Sequence, residues 1–242
     1  MSVAPLRIRW TDPTADAVGV VRCDDGCDYA VKDDAKHPRT RHNEWFCSSL
    51  ALAVGIAVPP FQIIERSDGS LVFGSRWEGG IPNERWHQMI RNGALKFDDV
   101  KTVLANIFAF DNFIHNIDRH CGNYIIRQQR NGYALLAPDY ARAWCYRAFP
   151  PPALPFTTCG TVKAVRWLTA NFGPYIDVAS TQETLDKIES ISASDVAAII
   201  KNHPQSWLTQ LESDAIVAWW WSPARKQRID SIRQGIKDGT FL

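Results

Sequence analysis

Two aspartates and an asparagine frame a predicted hairpin near the middle of this 242-residue chain. Asp118 and Asn123 lie on one short loop, and Asp139 follows two short apolar runs, residues 124–127 and 133–137. The Asn-Gly pair between these runs is typical of a tight hairpin. Asn123 and Asp139 are therefore expected at the two ends of one hairpin, close enough to hold a single cation. Carboxylate, amide and phosphate oxygens are ligands that Mg²⁺ accepts.

Asp118 shares its loop with Asn123 and is placed to orient a hydroxyl group in front of a bound phosphate. Phosphoryl transfer requires positioning and charge neutralisation from a protein more than covalent chemistry. A simpler interpretation is that Asp118 and Asn123 are turn residues and that Asp139 caps a loop, because Asp and Asn are common there. The spacing alone favours the simpler interpretation, so the rest of the chain decides between them.

A lysine on a predicted strand and a glutamate on the following helix add to this pattern. Lys32 ends the segment Tyr29-Ala30-Val31-Lys32, which resembles the Val-Ala-Ile-Lys strand of protein kinases. In those enzymes the lysine reaches the α- and β-phosphates and is held by a glutamate of the next helix, where Glu44 stands here. Taken singly, Lys32 could be a solvated strand end and Glu44 a favourable charge at a helix N-terminus. The occurrence of the lysine, the glutamate, the Asp/Asn loop and the final aspartate in this order favours a site for phosphoryl transfer.

The hydrophobic pattern predicts a β-rich first third and a helical remainder. Strands are expected at residues 18–22, 29–32, 61–65 and 71–75. A helix is expected over residues 43–54, ending near Gly55. Asp98 or Asp99 is expected to cap a second helix that leads into the Asp118 loop. From about residue 162 the chain is mostly helical by pattern. These elements predict a small β-rich lobe followed by a larger helical lobe.

Charge and hydropathy limit the partners that this chain is expected to bind. The formal net charge is +1, which provides no field for direct nucleic-acid binding or for an anionic membrane surface. No apolar run reaches the length that crosses a bilayer, and the N-terminus lacks the apolar stretch of a secretion signal. A cytoplasmic protein is therefore expected.

The segments that carry chemistry together resemble HipA-like kinases of the small, single-domain bacterial type. The matching segments are Tyr29-Ala30-Val31-Lys32, Asn43-Glu44, Leu50-Ala51, Gly55-Ile56-Ala57-Val58-Pro59, Asn116-Ile117-Asp118-Arg119-His120-Cys121-Gly122-Asn123 and Pro138-Asp139. The resemblance covers about residues 10–145. The Asp-Arg-His order is also similar to phosphatidylinositol kinases, but the Asn-Glu and Gly-Ile-Ala-Val-Pro segments favour the HipA side. The resemblance implies an α+β, two-lobed protein-kinase-like fold, with a nucleotide-clamping lobe over residues 1–78 and a helical catalytic lobe over residues 79–242.

The resemblance implies ATP and Mg²⁺ as cofactors and assigns a role to each matching residue. Asp118 would be the catalytic base. Asn123 and Asp139 would be the magnesium ligands and would contact the nucleotide through the metal. Lys32 and Glu44 would form the nucleotide clamp.

Two further residues of the loop have less distinctive expected roles. His120, grouped with the catalytic residues, would brace the loop through hydrogen bonds rather than move a proton, because Asp118 already supplies the base. Arg119 would either meet a phosphate or pair with a nearby acid, and the sequence does not separate these alternatives.

Two segments of the first lobe are expected to contact the nucleotide. The phosphate-covering loop is expected near residues 11–18, which lack the glycines of ordinary kinases. There Thr14 is expected to present its hydroxyl while backbone N–H groups cradle phosphate. The linker over residues 73–80 is expected to act as the hinge that binds adenine, with Phe73 and Ser75 in contact with the nucleotide.

The function implied by the resemblance is transfer of the ATP γ-phosphate to a protein serine or threonine. It also implies autophosphorylation, a toxin-like or regulatory role, and an antitoxin-type regulator as partner. Two alternatives stay open: a small-molecule or phosphatidylinositol-type lipid kinase, and a nucleotide-binding pseudokinase scaffold. The near-neutral charge argues against an inositol lipid. The glycine-poor phosphate loop argues for the scaffold, whereas the presence of all five expected groups argues against it.

Three adjacent tryptophans, Trp219, Trp220 and Trp221, stand in a predicted helix near the C-terminal end. Successive helical residues are rotated by about 100°, so the three cannot all face one core. At least one is expected to mark a partner surface, and the alternative is packing against a neighbouring helix and the proline-rich loop.

Overall fold

The N-terminal part of the protein is a closed barrel of five strands. The computed structural model describes residues 6–12, 19–77, 83–130, 132–146, 148–153 and 158–240. The strands are β1 (Leu6–Asp12), β2 (Val20–Cys23), β3 (Asp28–Lys32), β4 (Phe61–Glu65) and β5 (Leu71–Arg76). Their order around the barrel is β1-β2-β3-β5-β4. Neighbours are antiparallel except β1 and β4, which pair in parallel and close the barrel. Strand β1 was not predicted from the sequence, whereas the other four were.

The alternation of side chains along each strand decides which residues fill the barrel. The side chains that pack together inside it are Val21, Cys23, Tyr29, Val31, Ile64 and Val72. Because Val31 belongs to this interior cluster, its neighbour Lys32 lies on the opposite face of the strand. Gly74 on β5 permits close packing inside, since a Cβ atom there would lie 2.1 Å from Cδ1 of Ile64.

Helix α1 (Thr40–Ala53) lies between the barrel and the remainder of the protein, and most of its side chains are buried. Its C-terminal end follows a Schellman pattern. The N–H group of Gly55 donates to Leu52 at 3.1 Å, and that of Ile56 donates to Ala51 at 2.8 Å. Gly55 has a φ of +84°, a conformation that glycine adopts without steric cost. The predicted helix end near Gly55 is confirmed.

The part that follows β5 is mainly helical, which confirms the predicted α+β architecture. Helix α3 (Lys101–Phe113) is its central element, and most of its side chains are buried. It packs against α4 (Gly160–Phe172), α5 (Val178–Ser190) and α8 (Pro223–Lys237). A two-stranded hairpin follows α3. Among the described residues, no helix is both long and apolar enough to cross a membrane. The elements are α2 (Asn83–Arg91), α3 (Lys101–Phe113), β6 (Ile125–Gln129), β7 (Gly132–Leu136), α4 (Gly160–Phe172), α5 (Val178–Ser190), α6 (Ala193–Lys201), α7 (Gln210–Trp221) and α8 (Pro223–Lys237).

The start of α3 differs from the prediction. Val100 occupies the N-cap position, and Asp98 and Asp99 belong to a short 3₁₀ turn just before it. The expectation that one of these aspartates caps the helix is therefore wrong. The carboxylate of Asp98 instead accepts a hydrogen bond from Lys101 at 2.6 Å. Helix α2 was also not predicted.

The three adjacent tryptophans point in different directions, as the rotation of the helix requires. Trp219 and Trp220 are buried against Phe113 and Trp144. Trp221 is 75% exposed. Two of the three therefore serve the core, and one lies on the surface.

Candidate active site

Lys32 lies at the centre of a cluster of charged side chains between the barrel and α1. Its Nζ atom contacts a carboxylate oxygen of Glu44 and lies 2.8 Å from Oδ1 of Asp139. Glu44 is buried on α1, and the same oxygen accepts the backbone N–H of Tyr140 at 3.0 Å. The predicted pairing of Lys32 with Glu44 is present. The structure adds Asp139 to it, although this residue is 107 positions away in the sequence.

Burial and charge oppose each other in this cluster. Burial alone would lower the pKa of Lys32, but the two carboxylates outweigh it and raise that pKa. Burial raises the pKa of Glu44, and the attraction of Lys32 only partly offsets this. Burial alone would also raise the pKa of Asp139, but the positive charge of Lys32 outweighs it and holds that pKa well below its usual range. About 40% of the Asp139 side chain is exposed, so water screens part of this interaction. Asp139 is therefore an ionised carboxylate within reach of a ligand.

Asp139 adopts a left-handed backbone conformation, with a φ of +68°. A non-glycine residue in this region costs about 1–3 kcal/mol unless its surroundings hold it there, and Asp tolerates the region better than most residues. Its two neighbours are both fixed by hydrogen bonds. The carbonyl group of Pro138 accepts from Arg119, and the N–H group of Tyr140 donates to Glu44. These contacts aim the Asp139 carboxylate at Lys32.

The loop that carries Asp118 is held by its own side chains. The amide nitrogen of Asn123 donates to the carbonyl oxygen of Asp118 at 3.1 Å, and its backbone N–H donates to His120 at 2.8 Å. His120 is exposed, and its Nδ1 atom accepts the N–H of Gly122 at 3.0 Å. The His120 side chain therefore stabilises the turn, as the prediction of a bracing role requires.

Arg119 is fully buried and joins the two halves of the candidate site. It forms a two-pronged ion pair with Asp111 at 2.8 and 3.1 Å. Its Nη1 atom also donates to the carbonyl oxygens of Asn123, at 2.9 Å, and of Pro138. Of the two roles left open for Arg119, pairing with an acid is the one present. Asp111 itself was missed, because an aspartate near the end of a predicted helix carries no signal of a buried partner.

The first turn of α4 packs against the loop from behind. The N–H group of Gly160 donates to Ile117 at 2.8 Å, and a Cβ atom on Gly160 would lie 3.3 Å from Cα of Asp118. The Thr161 hydroxyl donates to the carbonyl of Asn116 and accepts the N–H of Arg119 at 3.2 Å. Sequence reasoning missed both α4 residues, because they follow the loop by some forty positions with no distinctive motif.

Arg142 is a further missed residue, and it approaches the predicted catalytic base. Its guanidinium lies 3.3 Å from a carboxylate oxygen of Asp118, and 44% of the Arg142 side chain and 40% of the Asp118 side chain are exposed. An exposed pair of this kind contributes little stability. A ligand can therefore replace either partner at small cost.

The predicted position of Phe73 and Ser75 in a hinge linker needs correction. Both residues lie within β5, where Phe73 pairs with Lys32 and Ile63, and Ser75 pairs with Ala30 and Phe61. Their backbone is engaged in the barrel, and the Phe73 side chain is buried. Neither is a free hinge residue, because β5 continues to Arg76. The expected phosphate contact of Thr14 lies outside the described residues.

The donor atoms of Asn123 and Asp139 fit a magnesium ion. The β6–β7 hairpin pairs Ile125 with Leu136. Asn123 shortly precedes Ile125 and Asp139 shortly follows Leu136, so both lie at the same open end of the hairpin. Asn123 uses its amide nitrogen within the loop, which leaves the amide oxygen as the group suited to a cation. An amide oxygen and an ionised carboxylate are the ligands that Mg²⁺ accepts alongside phosphate and water.

Comparisons with known proteins agree with this geometry. The sequence matches the HipA-like kinase family over residues 18–143, which is more than half of the chain. Among curated proteins, none matches. The fold is similar to the Helicobacter pylori proinflammatory kinase CtkA, with a TM-score of 0.62, 12% identity, and coverage of 98% of this chain and 100% of that one. It is also similar to HipA of Shewanella oneidensis MR-1, solved in a toxin–antitoxin complex with HipB and operator DNA. There the TM-score is 0.51 and the identity 13%, with coverage of 86% of this chain and 60% of that one. At such identities the structural likeness concerns the fold, and the family assignment rests on the sequence match: this chain belongs to the HipA-like kinase family.

Proposed function

We propose that this chain is an ATP- and magnesium-dependent kinase that transfers the γ-phosphate to a protein serine or threonine. The observation that supports this most is the contact of Lys32 with both Glu44 and Asp139. In protein kinases the lysine–glutamate ion pair and the second metal ligand must both be in place for transfer. Arg119 fastens the Asp118 loop to the segment of Asp139, so the base and the metal ligands form one unit.

The proposed roles follow from charge and exposure. Lys32 would bind nucleotide phosphates, and Asp118 would orient the acceptor hydroxyl and take its proton. Asn123 and Asp139 would hold Mg²⁺, which neutralises charge on the phosphates when bound. Arg142 would be displaced from Asp118 by the acceptor. The lobe that clamps the nucleotide would comprise residues 1–78, and the catalytic lobe residues 79–242.

Two measurements test the proposal together. The melting temperature is expected to rise with an ATP analogue only when Mg²⁺ is present. Intact mass spectrometry after incubation with MgATP and cell extract is expected to show phosphate on the chain or on an extract protein. Asp118→Asn should abolish this transfer, whereas the matched surface variant Asp98→Asn, 77% exposed, should retain it. Binding without transfer in the wild type would instead indicate a pseudokinase scaffold.

The family and the Shewanella oneidensis HipA–HipB complex support an antitoxin-type regulator for this chain. We infer a toxin-like role that depends on phosphate transfer. Inducing the wild type in a bacterial host is expected to slow growth, and inducing Asp118→Asn is not. Equal growth with both proteins, at equal expression, would exclude this role while leaving the kinase proposal intact.

A further inference from the structure

Asn43 is a buried polar residue of α1 that binds the backbone on the C-terminal side of Asp139. It precedes Glu44 and is fully buried. Its amide nitrogen donates to the carbonyl oxygen of Ala141 at 3.3 Å, and its amide oxygen accepts the N–H group of Cys145 at 3.3 Å. One side chain thus satisfies a donor and an acceptor of the segment that follows Asp139.

This segment satisfies only part of its own backbone groups, through the N–H group of Ala143, which donates to the carbonyl oxygen of Tyr140 at 3.0 Å. Residues 139–145 form turns and bends rather than a helix or strand, and both Asp139 and Trp144 are left-handed, with φ of +68° and +51°. Buried peptide groups need hydrogen-bond partners, and several of those of this segment come from other parts of the protein. Glu44 accepts from Tyr140 at 3.0 Å, and the carbonyl of Ile114 accepts from Trp144 at 2.6 Å.

We propose that Asn43 is a positioning residue for the candidate metal site, which rests on the function proposed above. By binding Ala141 and Cys145, it holds the segment in the path that keeps Asp139 left-handed and its carboxylate directed at the cluster. An amide suits this position because its donor and its acceptor are two separate atoms, so that it bonds both partners at once. Asparagine and glutamate are neighbours on one helix, so α1 positions the clamp and the metal ligand together.

Asn43→Asp and Asn43→Ser test this inference with and without ligand. The aspartate keeps the size but turns a carboxylate toward the Ala141 carbonyl, and the serine keeps one bond at most. In ligand-free protein, amide hydrogen exchange over residues 139–145 is expected to accelerate in both variants. The Mg²⁺ concentration that gives half of the nucleotide-dependent melting shift is expected to rise about 10-fold, the lower end of the loss for direct partners of a metal ligand, because Asn43 acts on Asp139 through the segment.

Leu185→Ala is the matched control for lost stability, since Leu185 is fully buried in the core on α5. It is expected to leave both the exchange over residues 139–145 and the Mg²⁺ requirement unchanged. Wild-type exchange and a wild-type Mg²⁺ requirement in the Asn43 variants would overturn the inference. If the wild type shows no Mg²⁺-dependent shift, the proposed function fails, and the exchange of ligand-free protein still decides whether Asn43 holds the segment.

Discussion

Two clusters of opposite charges meet at the candidate site, and they differ in burial. Lys32 contacts Glu44 and Asp139, and about 16% of the Lys32 side chain and 40% of the Asp139 side chain are exposed. Arg119 contacts Asp111, and neither side chain is exposed at all. In the first cluster, a nucleotide and a cation can replace the existing ion-pair partners. In the second cluster, neither charged side chain is accessible to solvent, so this ion pair stabilises the structure of the site.

The surroundings of Arg119 support this distinction. Beyond its ion pair it donates to the backbone carbonyls of Asn123 and Pro138, and its guanidinium lies over the rings of Tyr124 and Tyr140 at 5.7 and 4.9 Å. Burial would lower the pKa of Arg119, but the carboxylate of Asp111 prevails and raises it. A cation held on every side has no vacancy for phosphate. The sequence motif alone does not reveal this, because arginine serves both purposes.

Removing the buried arginine should have the largest effect on stability. We expect Arg119→Met to lower the free energy of unfolding by about 3–5 kcal/mol, because Asp111 would be left buried and unpaired. Urea denaturation measures this. The control is Arg91→Met, which removes an exposed arginine and should change stability by less than about 0.5 kcal/mol. Equal effects of the two substitutions would contradict the structural role of Arg119.

Removing Lys32, which belongs to the less buried of the two clusters, should lower the affinity for nucleotide. We expect Lys32→Met to weaken MgATP binding by about 10- to 100-fold, since a hydrogen bond to a charged group contributes about 1.5–3 kcal/mol. Its effect on unfolding should be smaller than that of Arg119→Met, because Glu44 can take up a proton when its partner is lost. Calorimetric titration with a non-hydrolysable analogue checks the affinity. Unchanged affinity together with a large loss of stability would reverse the comparison between the clusters.

The docking of α1 should depend on pH through a buried histidine pair. Nδ1 of His42 lies 3.0 Å from Nε2 of His203. Burial, with further contributions from His203 and Arg39, holds the pKa of His42 well below its usual value, and burial also lowers that of His203. The unfolded chain takes up protons below about pH 6.5, where the folded protein does not. As the pH is lowered below about 6.5, the free energy of unfolding should therefore decrease by up to about 1.4 kcal/mol per pH unit for each such histidine.

Urea denaturation between pH 7 and pH 5 measures this dependence. In His42→Leu the contribution of His42 to this pH dependence should disappear, so the free energy of unfolding should change less steeply with pH than in the wild type. A wild-type slope in this variant would show that His42 titrates normally in the folded protein.

The smallest effect is expected at His120. His120→Ala removes one acceptor for the N–H of Gly122, which is worth about 1 kcal/mol, so the transfer rate should fall by less than about 10-fold. A loss of about 100-fold or more is typical of a residue that moves a proton. A single-turnover rate measurement distinguishes the bracing role from that of an acid or base.

Much of the fold was predictable because its signals are local. The strands β2 to β5 and the end of α1 follow from alternation and from Gly55, and Lys32 is at the expected strand end. The closure of the barrel was not predictable, because the parallel pairing of β1 with β4 joins segments more than fifty residues apart. A strand that pairs at such a distance has no turn beside it to reveal its partner.

The candidate site was predictable as a set of residue types, and less so as a geometry. The order of the lysine, glutamate, asparagine and aspartates was visible in the sequence. The roles of the residues that hold them were not visible: Asp111 and Asn43 are polar residues on buried helix faces, and Gly160 is an ordinary glycine. Their roles depend on which distant segments pack against the Asp118 loop and the Asp139 segment, and the local sequence pattern does not determine this.

Phosphate transfer in the presence and absence of Mg²⁺ tests the proposed kinase most directly. Purified wild-type protein and Asp118→Asn would be incubated with γ-³²P-ATP and cell extract, with Mg²⁺ or with a chelator. We expect labelled protein only with wild type and Mg²⁺, and a loss of about 100-fold or more in Asp118→Asn. Labelling that persists in this variant, or that does not require Mg²⁺, would contradict the assignment of Asp118, Asn123 and Asp139.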